Sequence, residues 1–283
     1  MSGLRSMTGF GRAAAALGPL AVAVEVSSVN QRGLAVSAHL PSEWSSLEPD
    51  LSALARAALQ RGKVTLRVTV ERGAAAPDLS EPIAQLRRLA HVHGVPGEPD
   101  WEVLLRLSER QGAALPPAEA ARPTVAAACR DALGQLDEMR RREGTALGED
   151  LRRRLAGLGE LVKRMESTAA GGPARQRDRL IRRLADLGVG VDPSDERVLR
   201  ELAIHADRAD IAEEVTRLRS HLAQGLALLG ERAPGRSLDF LTQELLREAN
   251  TVGSKASEIG TTQAVIEAKA EIERIREQVQ NIE

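Results

Sequence analysis

At 283 residues with 42% hydrophobic side chains, the chain is long enough to bury a substantial core and to divide into more than one domain. Its aromatic residues are Phe10, Trp44, Trp101 and Phe240, which excludes nucleic-acid recognition by bases stacked on rows of aromatic side chains. A formal net charge of −1 likewise excludes attraction of a polyanion by the field of the whole molecule, leaving local basic patches and bound cations as the means of holding phosphate.

The first 75 residues read as strands. Val22, Val24 and Val26 alternate with smaller or polar neighbours, as do Leu34, Val36, Ala38 and Leu40, and the turn-rich Val29-Asn-Gln-Arg-Gly33 between them predicts a hairpin. Ser6–Arg12 reads as an edge strand or loop. Pro41 and Ser45 open a helix with Leu47, Leu51, Leu54 and Ala58 on one face, and Gly62 is the expected residue just past its end. Lys63–Glu71 alternates as a further strand, and a helix is predicted from Ser80 to His93. The expected fold class is α+β, an amino-terminal, mostly antiparallel sheet with helices on one side.

From Pro116 onward the strand pattern stops. Leu147, Leu151, Leu158, Leu161 and Met165 follow helical spacing, predicting one long helix or a kinked pair from about Thr124 to Thr168. A helix from Ala174 to Leu187 ends at Gly188, and Asp192-Pro-Ser-Asp195 starts another. Two basic patches, residues 140–154 and 173–183, are candidate phosphate tracks or ordinary solvated helix surface. Cys129 lies in the apolar run Val125–Cys129 and reads as a small buried side chain, with no disulfide framework possible within the chain. Val265, Ala268, Ile272, Ile275, Val279 and Ile282 step along a narrow seam, expected to pack partly on a second subunit. The expected division is 1–115, an α+β domain; 116–200, a long helical arm; and 201–283, a helical bundle. With no run of about 18 apolar residues and no apolar leader, the expected location is the cytoplasm, with no membrane partner.

Asp207, Asp210, Glu214, Arg217 and His221 are spaced by three and four residues, which on one continuous helix would confine them to a stripe about 80° wide. Carboxylates with an imidazole are a ligand set for a divalent cation, and arginine offers a fork for phosphate oxygens. Asp207, Asp210, Glu214 and His221 are therefore candidate ligands of Mn²⁺ or Mg²⁺, against the plainer reading of a solvated charged face. On a second helix Asp239, Gln243, Arg247 and Asn250 fall within a similar arc, so two polar stripes are expected to face each other across a cleft.

Three islands carry more than periodicity. They are Met7-Thr-Gly-Phe-Gly-Arg-Ala13 with Glu25–Arg32 and Arg61-Gly-Lys-Val64; Ala206–His221; and Leu238–Lys255 leading into Ile275-Arg-Glu-Gln-Val-Gln-Asn-Ile-Glu283. Together they resemble the bacterial YicC/YloC family, strongly at both ends of the chain and weakly over about 75–200. The resemblance implies a metal-dependent endoribonuclease acting on single-stranded or structured RNA as a ring-like homo-oligomer, a hexamer, with helical arms that open and close. Residue by residue, it implies catalytic roles for Glu214, Arg217, His221, Glu244 and Arg247, and RNA contacts for Asn30, Arg32, Arg208, Asn250 and Lys255. One departure stands out: the family's usual Asn-His-Arg-Phe/Tyr-Leu-Asp/Glu is here Asn30-Gln31-Arg32-Gly33-Leu34-Ala35, without the histidine or the acid. The competing reading is a non-catalytic RNA-binding or adaptor protein with an acidic interaction face.

Overall fold

A computed structural model describes residues 4–72, 80–94, 102, 115–186, 188, 196–231 and 233–283. Its contacts cluster into two units: Thr8–Met139, and Arg140–Glu283 with the amino-terminal residues up to Met7.

In the first unit, β1 (Gly9–Leu17), β2 (Leu20–Val29), β3 (Leu34–His39) and β4 (Gly62–Arg72) form a sheet of order β1-β2-β4-β3. Alternation decides its faces. Val22, Val24 and Val26 on β2 and Val64, Leu66 and Val68 on β4 are buried, whereas Lys63, Arg67 and Thr69 between them are exposed. Trp44 and Leu47 from a 3₁₀ turn (Ser42–Leu47), Leu51 and Ala55 from α1 (Glu48–Ala58), and Val125, Cys129, Ala132 and Leu136 from the following long helix complete that core. Burial pushes the Cys129 thiol up to about 11, so it is a packing residue. The sheet with helices over one face is the α+β arrangement expected.

Two local expectations are corrected. β2 and β3 do not form a hairpin: β2 pairs antiparallel with β1 and β4, while β3 pairs parallel with β4. The tight turn is instead at Gly18-Pro19, where Gly18 takes a φ of 60°. Parallel neighbours need a crossover, and the strand–helix–strand order of β3, α1 and β4 supplies it. Gly62 does not follow a helix end either; α1 stops at Ala58, and Gly62 opens β4 with its N–H on the Gly33 carbonyl at 2.9 Å.

α2 (Ser80–His93) matches its expected span, and α3 (Ala118–Ala169) is one helix of 52 residues. α4 (Gly172–Asp186) is followed by Gly188 at a φ of 73°. Next come α5 (Glu196–Ala209), α6 (Ala212–Leu228), α7 (Gly235–Lys255) and α8 (Ile259–Val279). The Asp192–Asp195 start signal lies outside the described residues. Leu151, Leu158 and Met165 of α3 pack with Val215 and Leu218 of α6, Leu245 and Val252 of α7, and the α8 residues Val265, Ala268, Ile272, Ile275 and Val279. The terminal seam is therefore buried inside its own chain, and the expectation that it packs partly on a second subunit is corrected: its apolar surface is already covered.

The carboxyl-terminal residues lie beside the segment Leu4–Met7: Met7 N–H donates to the Asn281 carbonyl at 2.8 Å and Glu283 N–H to the Arg5 carbonyl at 3.0 Å. Among the described residues no helix is long and apolar enough to cross a membrane.

Candidate functional site

The polar stripe from Asp207 to His221 does not lie on one helix. α5 ends at Ala209, where the Asp210 N–H bonds back to the Asp207 carbonyl at 3.2 Å, and Asp210 Oδ1 then accepts the Ala212 N–H at 2.9 Å to start α6. Aspartate competes for nearby backbone donors in this way, which favours it at helix ends over helix interiors. Asp207, Arg208 and Asp210 are consequently exposed around the break, while Glu214, Arg217 and His221 follow one another along α6.

The groove between α6 and α7 is lined by three polar pairings in a row. At one end Lys255, the last residue of α7, donates to Glu214 Oε1 at 2.8 Å and to the Asp210 carbonyl at 3.0 Å. Glu214 is only 5% exposed, and its Oε2 is buried with no hydrogen-bond partner. The Glu214 carboxylate, hydrogen-bonded to it, holds the Lys255 ammonium above the usual lysine pKa. In the middle, Arg217 pairs with Glu213 on its own helix and with buried Glu248 across the groove at 3.4 Å. At the other end, His221 meets Glu244 and Glu248, with one ligand atom from each lying within 4.8 Å of the others. His221 Nδ1 is buried and has no hydrogen-bond partner.

Of the ligand set expected for a single cation, only His221 belongs to this cluster. Glu214 precedes it by seven residues, about 10.5 Å along the helix axis, and its Oε1 is engaged by Lys255. The expected second stripe is also rotated away. Arg247 and Asn250 are exposed, and the Asp239 carboxylate accepts from Gln243 at 3.1 Å and lies 3.9 Å from Arg276 of α8. Glu244 and Glu248 face the groove in their place. α7 runs from Gly235 through Asp239, Asn250 and Gly253 to Lys255. Asn30 and Arg32 are exposed between β2 and β3 in the sheet unit.

Glu248 is the site residue that sequence reasoning placed least well. Its signal was available: it follows Glu244 by four residues and flanks the stripe Leu241, Leu245, Ala249 and Val252, all buried. A half-buried histidine, a half-buried glutamate and a buried glutamate converging from two helices form a nitrogen-and-oxygen donor set suited to a divalent transition metal.

Residues 4–149 match the family model described as the amino-terminal region of YicC-like endoribonucleases, and residues 165–283 match the model of the carboxyl-terminal part. A protein of Clostridioides difficile named "Probable endoribonuclease YicC" is 31% identical over 296 aligned residues, 98% of this chain and 99% of the relative. One of the same name from Haemophilus influenzae is 33% identical over 267 residues, 92% of each chain. The chain belongs to the YicC-like endoribonuclease family. The matches extend well into the stretch from 75 to 200 where the motif resemblance is weak.

Proposed function

We propose that the chain is a metal-dependent endoribonuclease that cleaves phosphodiester bonds in single-stranded or structured RNA, working in the cytoplasm as a ring-like homo-oligomer, a hexamer. The observation that carries the catalytic part is the convergence of His221, Glu244 and Glu248 on one point of the α6–α7 groove. The family membership and the names of the relatives support RNA as the substrate.

The residues fit a divalent cation. His221 has a buried ring nitrogen lacking a partner, which is costly unless a cation or donor completes it, and Glu248 beside it is a carboxylate withdrawn from water whose charge Arg217 offsets. His221, Glu244 and Glu248 would hold Mn²⁺ or Mg²⁺, which when bound polarises a phosphoryl oxygen and offsets charge in the transition state. Arg217, half exposed beside the cluster, would fork onto a phosphate oxygen. Glu214, held through Oε1 by Lys255, has Oε2 without a partner and would serve as the proton acceptor within the same groove. Arg247, exposed on α7, with Arg208 and Asn250, would add polar contacts for the RNA strand, and Asn30 and Arg32, exposed in the sheet unit, are candidate RNA contacts of that unit.

The test is cleavage of a labelled RNA by the purified full chain with Mn²⁺ or Mg²⁺, with chelator, and in His221→Ala and Glu248→Gln variants. Cleavage that requires metal and falls at least about a hundredfold in both variants supports the reading. Unaltered cleavage in chelator sinks the metal role, and binding without cleavage in the unaltered protein favours an adaptor.

A further inference from the structure

Arg217 faces two carboxylates in unlike surroundings. Glu213, one turn earlier on α6, is exposed, whereas the Glu248 side chain across the groove is 6% exposed. A carboxylate so far withdrawn from water needs a counter-charge, and among the described residues Arg217 is the cation paired with it. Glu248 is also a member of the His221–Glu244–Glu248 cluster. The same carboxylate is thus claimed by the Arg217 guanidinium and by the candidate cation site. The Arg217 side chain is 51% exposed, so it is free to leave the groove wall without unpacking a core.

We propose that Arg217 is a switch shared by the cation cluster and the RNA backbone, coupling the two binding events. In the metal-free protein it neutralises Glu248. When the cluster holds a divalent cation, that charge replaces the guanidinium, and Arg217 is released to take a phosphate oxygen at the groove mouth. A phosphate that captures Arg217 in turn leaves Glu248 fully available to the cation, so each ligand favours the other by the same factor. The inference rests on the metal reading above and adds a regulation of that site: the cluster fills preferentially when RNA is present.

Calorimetric titration of Mn²⁺ into the full chain, with and without a 2′-O-methyl phosphorothioate RNA decamer, reads this coupling without turnover. In the unaltered protein the decamer tightens Mn²⁺ binding about tenfold, within the usual range of such couplings. Arg217→Gln binds Mn²⁺ alone more tightly than the unaltered chain, and the decamer no longer changes that affinity. Glu213→Gln, which leaves Arg217 with Glu248 as its remaining anchor, does not bind Mn²⁺ more tightly. A general loosening of the groove would move both variants in the same direction. Arg217→Gln binding Mn²⁺ no more tightly than the unaltered chain, or keeping the decamer's effect, overturns the switch while leaving the metal site intact. Absence of Mn²⁺ binding to the unaltered chain overturns both the switch and the metal reading beneath it.

Discussion

Lys255 Nζ lies 2.8 Å from Glu214 Oε1, so the end of α7 holds a carboxylate that is otherwise buried in the wall of α6. The same ammonium reaches the Asp210 carbonyl in the break between α5 and α6, making one cation responsible for a charge and a chain reversal together. Lys255→Met keeps most of the apolar stem and removes the charge, leaving Glu214 without a cation. Because the lysine side chain is 29% exposed, the expected loss is about 2 kcal/mol, below that for a fully enclosed pair. Urea unfolding measures it, and Lys255→Met combined with Glu214→Gln should recover part of the loss. A single variant that unfolds at the urea concentration of the unaltered chain would show that the pair adds nothing.

Apolar periodicity made the strands and the long helices legible, because which side chains face a core depends on repeat alone. Val22, Val24 and Val26, and the α8 seam from Val265 to Ile282, all point where their spacing directs them. Pairing was less legible: β3 joins β4 rather than β2, a choice set by the α1 crossover and invisible to alternation within either strand. At the site, Glu214, Arg217 and His221 were readable from helical spacing, but Glu248 gains its meaning from α6 across the groove. The break at Asp210 was missed because three- and four-residue spacing is the same whether or not a backbone hydrogen bond is handed to an aspartate side chain. Charge counting misled once, at Arg140, which the composition assigns to a basic surface patch.

Arg140 is fully buried, its guanidinium donating to the Ser6 carbonyl at 2.5 Å and to the Glu283 carboxylate at 2.8 Å. No phosphate reaches such a side chain, so this arginine is a clamp between α3, the segment Leu4–Met7 and Glu283. Arg140→Met leaves the Glu283 carboxyl facing the interior without its cation and should cost about 3–5 kcal/mol, the range for one half of a buried pair removed. The expected result is a lower urea midpoint with helical content unchanged below it. Binding of RNA weakened in Arg140→Met while stability stays level would restore it to the phosphate track.

Gly11 of β1 sits so close to α3 that a Cβ there would lie 2.0 Å from the Ala132 carbonyl oxygen and 2.8 Å from the Leu136 nitrogen. Both obstacles are backbone, which has no rotamer with which to yield. Gly11→Ala should therefore destabilise the sheet unit by at least about 3 kcal/mol, the upper part of the range for overpacked cores. Gly134→Ala, on α3 itself, where nothing lies within 4 Å of the added carbon, is the control and should be neutral or slightly stabilising. Equal melting temperatures for the two variants would mean that β1 does not rest on α3 at that point.

Asp150 on α3 accepts from Arg154 at 2.6 Å and from Arg153 at 3.0 Å, and Arg154 continues to Glu271 of α8 at 2.9 Å. The hydrogen bond from Arg154 holds the Asp150 carboxyl below its ordinary value of 3.8. A carboxylate depressed on folding contributes stability that is present above its unfolded pKa and is lost as the pH falls through the lower folded value. The stability difference between the unaltered chain and Asp150→Asn should thus be constant from neutral pH down to about 5, shrink through the range below about 4, and close once Asp150 is protonated in the folded as well as the unfolded state. Its size at neutral pH should be about 1 kcal/mol or less, since the pair is partly solvated and screened by salt. Urea midpoints for both proteins across pH 3 to 7 decide it: a difference that persists unchanged at the acid end would assign the effect of the substitution to packing or helix propensity, and the ion pair from Asp150 through Arg154 to Glu271 would lose its role in joining α3 to α8.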